Sequence, residues 1–280
     1  MSSLVFFGSS PFSVIVLEKV LGSGFQVAAT VTTPDKPAGR GLKLTHNPVK
    51  LLALKHHIPV YISPSSIPPL NLRGGKGGVI GLVAAYGKII PQSILDKFND
   101  HIYNIHPSLL PKYRGPSPLQ QQILDGVTQT GVTIIQLDAL MDHGPIVAQQ
   151  KDVILPNDTW ITLGNRLFEK GAKLFLTSPL PPLLNQERGT EGVRYKPQNE
   201  AEASFTQKIT RQSGFIEFEK LKNYLDLGIC ELDIARMHRA FVGWPGIWSI
   251  DPSGKRVKLV SLSPVLVQYA GKEPQPWRDS

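Results

Sequence analysis

Tyr103-Asn-Ile-His-Pro-Ser-Leu-Leu-Pro-Lys-Tyr-Arg-Gly115 holds more chemically capable side chains and rigid backbone positions than any other stretch of this chain. Asn104 carries an amide that can donate to a developing oxyanion. His106 lies two residues further on, so on an extended segment the two side chains leave the same face. Pro107 and Pro111 fix φ on either side of Ser108, Leu109 and Leu110, which favours one loop conformation over many. A fixed loop is what recognition of a planar polar ligand by backbone groups requires. By themselves the same residues also describe an ordinary strand end with a satisfied histidine, so the flanking segments decide between the two.

Immediately upstream, residues 79–85 form a continuous apolar run, as expected for a central parallel strand buried on both faces. It ends in Tyr86-Gly87-Lys88. Residues 91–98 read as a helix opened by proline, and 101–105 as the next strand, which delivers Asn104 and His106 at its carboxyl end. In open α/β sheets ligands bind beyond the carboxyl ends of the strands. Ala85, Tyr86 and Gly87 are therefore a candidate wall of a site, and the Asn-x-His pair a candidate catalytic pair. Further upstream, a strand at 4–7, a helix at 12–21 with Ser10 as N-cap and Pro11 at its first position, and a strand at 26–32 make a βαβ unit and point to a parallel sheet. The turn of Gly8, Ser9, Pro11 and Phe12 sets backbone N–H groups at a helix start, a candidate substrate pocket for a polar or anionic group. No G-x-G-x-x-G and no P-loop are present. Residues 32–50 have no periodicity and alternate Pro and Gly with Lys36, Arg40, Lys43 and Lys50, which suits a mobile arm touching phosphates.

Downstream, a helix at 118–125, a strand at 130–137, a turn at 138–145 and a strand at 146–153 follow, the two strands forming a possible hairpin. Asp142 in that turn is the obvious partner for His106, although by itself it also describes a turn-forming Asp ahead of Gly144, and His143 is read as peripheral. An amphipathic helix spans 159–177 with Asp158 as its expected N-cap. Residues 185–203 read as an interdomain linker. A helix at 232–242 with Arg236 and Arg239 exposed, and strands at 246–249, 257–261 and 265–269, then make a small β-rich domain with too few strands for a closed barrel. The expected layout is a catalytic domain over 1–184, a linker over 185–203 and a C-terminal domain over 204–280.

The formal net charge is +8, with the positive surplus concentrated in the first 120 residues, which favours polyanionic partners. A single cysteine, Cys230, rules out an intrachain disulfide and a cysteine-based metal cluster. The absence of a basic, apolar leader and of any run of ~20 apolar residues makes a cytoplasmic location the expectation.

The motifs, in order, are the Phe-x-Gly-Ser-Ser-Pro-x-like opening, Pro-Asp-Lys-Pro-Ala-Gly-Arg-Gly, Ala-Tyr-Gly-Lys-Ile-Ile-Pro, Asn-Ile-His-Pro-Ser-Leu-Leu-Pro-x-Tyr-Arg-Gly and Asp-x-Gly-Pro-Ile. Across most of its length the chain resembles the methionyl-tRNA formyltransferases of the 10-formyltetrahydrofolate-dependent formyltransferase superfamily. The resemblance implies a Rossmann-like formyltransferase domain with a parallel-rich sheet, followed by an OB-like β domain that looks shortened here. It implies Asn104, His106 and Asp142 as the catalytic trio. It also implies Ser108, Leu109, Leu110 and Pro111 with Ala85, Tyr86 and Gly87 around the folate co-substrate, and Arg40 with Lys36 and Lys43 toward the acceptor arm of initiator Met-tRNA. A metal-free, monomeric enzyme of translation initiation is implied. One departure is Thr45-His46-Asn47-Pro48 in the basic loop, where small residues are usual. A small-amine acceptor, such as an amino sugar or a purine precursor, is the alternative.

Overall fold

The computed structural model describes residues 3–38, 43–68, 79–178, 195–228 and 233–277. The chain divides into two compact units, one of Met1–Gly115, Gln129–Val153 and Gly164–Phe205, the other of Pro116–Thr128, Ile154–Leu163 and Thr206–Ser280.

The first elements are β1 (Ser3–Gly8), α1 (Pro11–Gly22) and β2 (Gln26–Val31). Helix α1 starts where cap chemistry dictates: the Ser13 N–H donates to Ser10 Oγ, and Pro11 takes a position whose N–H has no intrahelical partner. Next come β3 (Lys36–Ala38), β4 (Lys43–Thr45), α2 (Pro48–Lys55), β5 (Val60–Tyr61) and β6 (Val79–Ala84). The chain continues with α3 (Gln92–Leu95), β7 (Ile102–His106), α4 (Pro118–Leu124), β8 (Gln129–Gln136), β9 (Ile146–Val153) and α5 (Trp160–Thr177). A seven-stranded sheet runs in the order β5-β2-β1-β6-β7-β8-β9. The strands from β5 through β7 pair in parallel, whereas β8 pairs antiparallel with both β7 and β9. The expected α/β fold with a parallel-rich sheet is therefore present. Strand β6 is buried along its whole length, in keeping with a central position.

Period-two alternation on β7 divides its side chains between two environments. Tyr103 and Ile105 face α5: the Tyr103 ring centroid lies 6.3 Å from that of Phe175. A Cβ on Gly171 would lie 2.4 Å from Ile105 Cγ2 and 2.9 Å from Val132 Cγ2, so the helix backbone rests directly on the sheet. On the opposite face Ile102 joins a core with Val79, Val83, Phe98 and Leu95. Asn104 and His106 follow on that same face.

Within the second unit are α6 (Phe218–Leu227), α7 (Ile234–Phe241), β10 (Ile247–Ile250), β11 (Arg256–Leu262), β12 (Val265–Tyr269) and β13 (Gln275–Pro276). These strands form a four-stranded antiparallel sheet in sequential order, a small β domain. Its core is Ile216, Leu221, Ile234, Ile247, Val257, Leu259 and Val267.

Three expectations need correction. Residues 32–50 carry regular structure of their own on either side of 39–42, which lie outside the described residues: β3 and β4 pair antiparallel, with Lys36 opposite Thr45. The start of α5 is organised by Thr159 rather than Asp158, through Thr162 N–H to Thr159 Oγ1 at 3.2 Å and Thr159 N–H to Thr162 Oγ1 at 3.0 Å. Asp158 instead accepts from the Leu155 N–H at 2.8 Å and the Thr162 hydroxyl at 2.9 Å. Arg236 and Arg239 are half-buried, not exposed, because α7 packs against α4, and Arg236 pairs with Asp233. Cys230 lies outside the described residues.

The hairpin is rooted on Asp35, whose carboxylate meets Lys50 Nζ at 2.7 Å, His46 Nδ1 at 2.8 Å and the Asn47 N–H at 3.0 Å. Lys50 above all, then the Asn47 N–H and His46, hold the Asp35 carboxyl far below the usual carboxylate range. A carboxyl lowered in this way stabilises the fold above its unfolded pKa of ~3.9, and that stabilisation is lost as pH falls toward the folded value. Asp35→Asn should therefore be less stable than the wild type at neutral pH, and urea titrations should show the gap closing as pH falls below ~4. Gly171→Ala should lower stability by ~1–3 kcal/mol in the same assay, since the added methyl must push Ile105 and Val132 off their packing.

Candidate active site

His106 is 3% exposed, and its Nε2 donates to the Tyr113 carbonyl at 2.9 Å. A carbonyl only accepts, so Nε2 carries the hydrogen, and Nδ1 is the ring atom left to exchange a proton. That atom lies 3.6 Å from Asp142 Oδ1. Asn104 Nδ2 donates to the same oxygen at 3.3 Å. Asp142 Oδ2 accepts from the Gly115 N–H at 2.8 Å. The three side chains singled out in the sequence therefore meet at one point. His143 stays apart from them, with Nδ1 2.5 Å from Asp138 Oδ2 and Nε2 3.6 Å from Glu200 Oε1.

The loop after β7 is braced from beneath. Ser108 is fully buried, and its hydroxyl donates to the Lys112 carbonyl at 2.7 Å. Thr133 Oγ1 donates to the Ser108 carbonyl at 2.6 Å and accepts from the Leu110 N–H at 3.2 Å and Gln149 Nε2 at 2.9 Å. Gln149 Nε2 also reaches the Leu110 carbonyl at 3.0 Å. Leu110 is buried, whereas Leu109 and Pro111 are half-buried. The Ser108 side chain thus serves the loop itself, leaving Leu109 and Pro111 as the residues of this group with accessible surface.

The opposite wall is built from the carboxyl ends of β1 and β6. Ser13 Oγ accepts from the N–H groups of Ser9 and Ser10 at 3.0 Å each and donates to the Ala84 carbonyl at 2.7 Å. One hydroxyl therefore ties the Gly8 turn to the end of β6. Gly8 leaves no room for a side chain there, because a Cβ would lie 2.6 Å from both Phe6 Cε1 and Ser13 Cβ. Ala85 has φ +47° and Gly87 φ +74°, so the chain turns sharply after β6. Tyr86 points into the core beside Phe7, and its hydroxyl has no partner among the described residues. Ser9 Oγ accepts from the Thr33 N–H at 3.1 Å, and Phe12 stacks on Phe168 at 5.1 Å, so Phe12 faces core. Pro11 is exposed. Lys36 and Lys43 sit on the two strands of the hairpin, their side chains outside the described residues, as is all of Arg40.

Sequence reasoning missed a buried charge next to the trio. Arg114 is 2% exposed. Its guanidinium donates to Gln198 Oε1 from Nε at 3.1 Å and Nη2 at 2.9 Å, and to Glu200 from Nη1 at 2.9 Å and Nη2 at 2.6 Å. That fork holds the Glu200 carboxyl below its ordinary range. Arg114 stands inside the stretch 103–115, but its partners lie in the segment read as a linker. Residues 195–205 run beside the site: Ser204 Oγ accepts from the Tyr113 N–H at 2.9 Å and the Ser204 carbonyl from the Arg114 N–H at 2.8 Å. Tyr195 meets the Tyr103 hydroxyl at 3.1 Å.

Residues 1–178 match the family model described as formyl transferase. The methionyl-tRNA formyltransferase of Marinobacter nauticus is 34% identical over 275 residues, covering 97% of this chain and 82% of that protein. Its counterpart from Pseudothermotoga lettingae is 39% identical over 220 residues, covering 78% of this chain and 68% of the relative. Among solved structures, the N-formyltransferase from Helicobacter canadensis, in complex with folinic acid and dTDP-3-aminofucose, superposes with a TM-score of 0.64 at 22% identity, covering 93% of this chain and 88% of that one, a likeness of fold. The chain belongs to the formyl transferase family, among the methionyl-tRNA formyltransferases.

Proposed function

We propose that this chain transfers the formyl group of 10-formyltetrahydrofolate to the α-amino group of methionyl-initiator tRNA, with Asn104, His106 and Asp142 as its catalytic residues. The observation that carries the reading is the meeting of these three side chains at the carboxyl end of β7, in a chain 34% identical to a methionyl-tRNA formyltransferase over nearly its whole length. Attack of the amine on the formyl carbon generates a tetrahedral oxyanion, to which Asn104 Nδ2 donates. His106 Nδ1 takes a proton from the incoming amine and returns it to the departing N10. Asp142 offsets positive charge on the ring as this occurs. The half-buried Leu109 and Pro111 and the turn at Ala85 and Gly87 flank the folate, and the Gly8–Ser9 turn lines the acceptor side. The hairpin carrying Lys36, Arg40 and Lys43 meets the acceptor arm of the tRNA, in keeping with the positive surplus of the first 120 residues. No helix of the described residues is long and apolar enough to cross a membrane. On this reading the enzyme is a cytoplasmic monomer that needs no metal.

Purified protein supplied with 10-formyltetrahydrofolate should formylate charged initiator tRNA and leave amino sugars and purine-precursor amines unmodified; turnover of the small amines alone would refute the acceptor. Asn104→Ala should cut kcat by roughly 10²–10³ while the protein stays folded by circular dichroism. His106→Ala and Asp142→Ala should be comparably impaired, and activity within a few-fold of wild type would overturn the roles. Arg40→Ala should raise KM for the tRNA about tenfold or more and leave KM for the folate unchanged.

A further inference from the structure

Asp142 occupies φ +50°, a region costly for a residue with a Cβ, so something must hold it there. Its turn is also crowded: a Cβ on Gly144 would lie 1.8 Å from the Gln136 carbonyl oxygen. The Asp142 carboxylate is tied to the loop by the Gly115 N–H, but that bond fixes only the end of a side chain. The backbone of the turn is gripped from a different segment. Gln198 Nε2 donates to the Asp142 carbonyl and the Gly144 carbonyl, each at 2.8 Å. The other end of the same amide, Oε1, accepts twice from Arg114, the residue directly before Gly115. Glu200, two residues after Gln198, closes a fork on the remaining face of the guanidinium. A ring of contacts thus runs from Asp142 through Gln198 and Arg114 to Gly115 and back to Asp142. The amide suits this role because it donates to carbonyls at one end and accepts from a guanidinium at the other.

We propose that Gln198, supported by Arg114 and Glu200, is a positioning residue that sets Asp142 against His106 and Asn104 by coupling the 138–144 turn to the loop carrying Gly115. It touches neither substrate and acts only through the geometry of Asp142. The catalytic consequence rests on the formyl-transfer reading above; the geometric one does not.

The test uses the full chain with Gln198→Ala and Gln198→Glu. The glutamate keeps an acceptor for Arg114 but has no N–H for the two carbonyls. Two readouts are taken: steady-state formylation, and hydrogen exchange at the Gly115 amide. Both variants should lose on the order of 10- to 100-fold in kcat, with KM for folate and tRNA within about threefold of wild type. Exchange at Gly115 should accelerate about tenfold or more while the Phe6 and Leu82 amides in the central strands keep their protection. Arg114→Lys, which keeps the charge but loses the fork, should shift both readouts in the same direction and answers the question if Gln198→Ala does not fold. Unchanged exchange at Gly115 together with unchanged kcat would overturn the proposal, as would a uniform rise in exchange across the sheet, which marks a merely structural loss. A wild-type protein that formylates no tRNA would instead refute the function, and exchange at Gly115 would still read the positioning role.

Discussion

The hydrogen bond from the Gly115 N–H to Asp142 Oδ2 joins two segments that the chain order keeps apart. One is the loop that leaves the last parallel strand. The other is the turn between β8 and β9. Tyr103 pairs with Gln136 and His106 with Thr133, so β8 ends beside the beginning of β7. The turn after β8 must fold back along β7 to bring a carboxylate to Asn104 and His106. The irregular pairing between Ile134 and Ile135 in the β8–β9 hairpin, the left-handed backbone at Asp142 and the close passage of Gly144 over Gln136 all belong to that reversal.

Everything beneath the site is arranged so that its movable parts are few. Ser13, Thr133 and Arg114 are each buried at 2% exposure or less. Each ties two segments through hydrogen bonds: the Gly8 turn to β6, β8 to the Ser108–Leu110 loop, and that loop's end to residues 198–200. Buried polar groups raise the stakes of packing, because leaving one unpaired costs more than making its bond gains. Left-handed backbone at Ala85, Tyr113 and Asp142 clusters around the same place.

What could be read from the sequence was what short-range chemistry decides. The Ser10-Pro11 start of α1, the apolar run of β6 and the alternation that puts Asn104 and His106 on one face depend on neighbours a few residues away. The turn after β8 carries two carboxylates, Asp138 and Asp142, and spacing alone does not choose between them; the Asp-x-Gly-Pro-Ile motif of the family points to Asp142. The hairpin of β3 and β4 was not recognisable, since Lys-Pro-Ala and Lys-Leu-Thr carry little strand propensity and their pairing is tertiary. Gln198 lies 56 residues from the carbonyl of Asp142 that it holds, and nothing in a polar, charged segment announces so distant a partner. Arg236 and Arg239 misled for a related reason: a polar stripe on a helix signals solvent only until another helix covers it.

The root of the β3–β4 hairpin has a bearing on how this architecture can diversify. Asn47 begins α2 by accepting from the Val49 N–H at 3.0 Å, and its amide also reaches the Ser9 carbonyl at 3.3 Å and Thr33 Oγ1 at 3.2 Å. Together with the Asp35 cluster it closes the base of the hairpin and ties it to the Gly8–Ser9 turn. None of those bonds involves Asn104, His106 or Asp142. Exchange of the β3–β4 segment is then a modular change, in which that segment can drift, lengthen or be grafted while Asn104, His106 and Asp142 stay as they are.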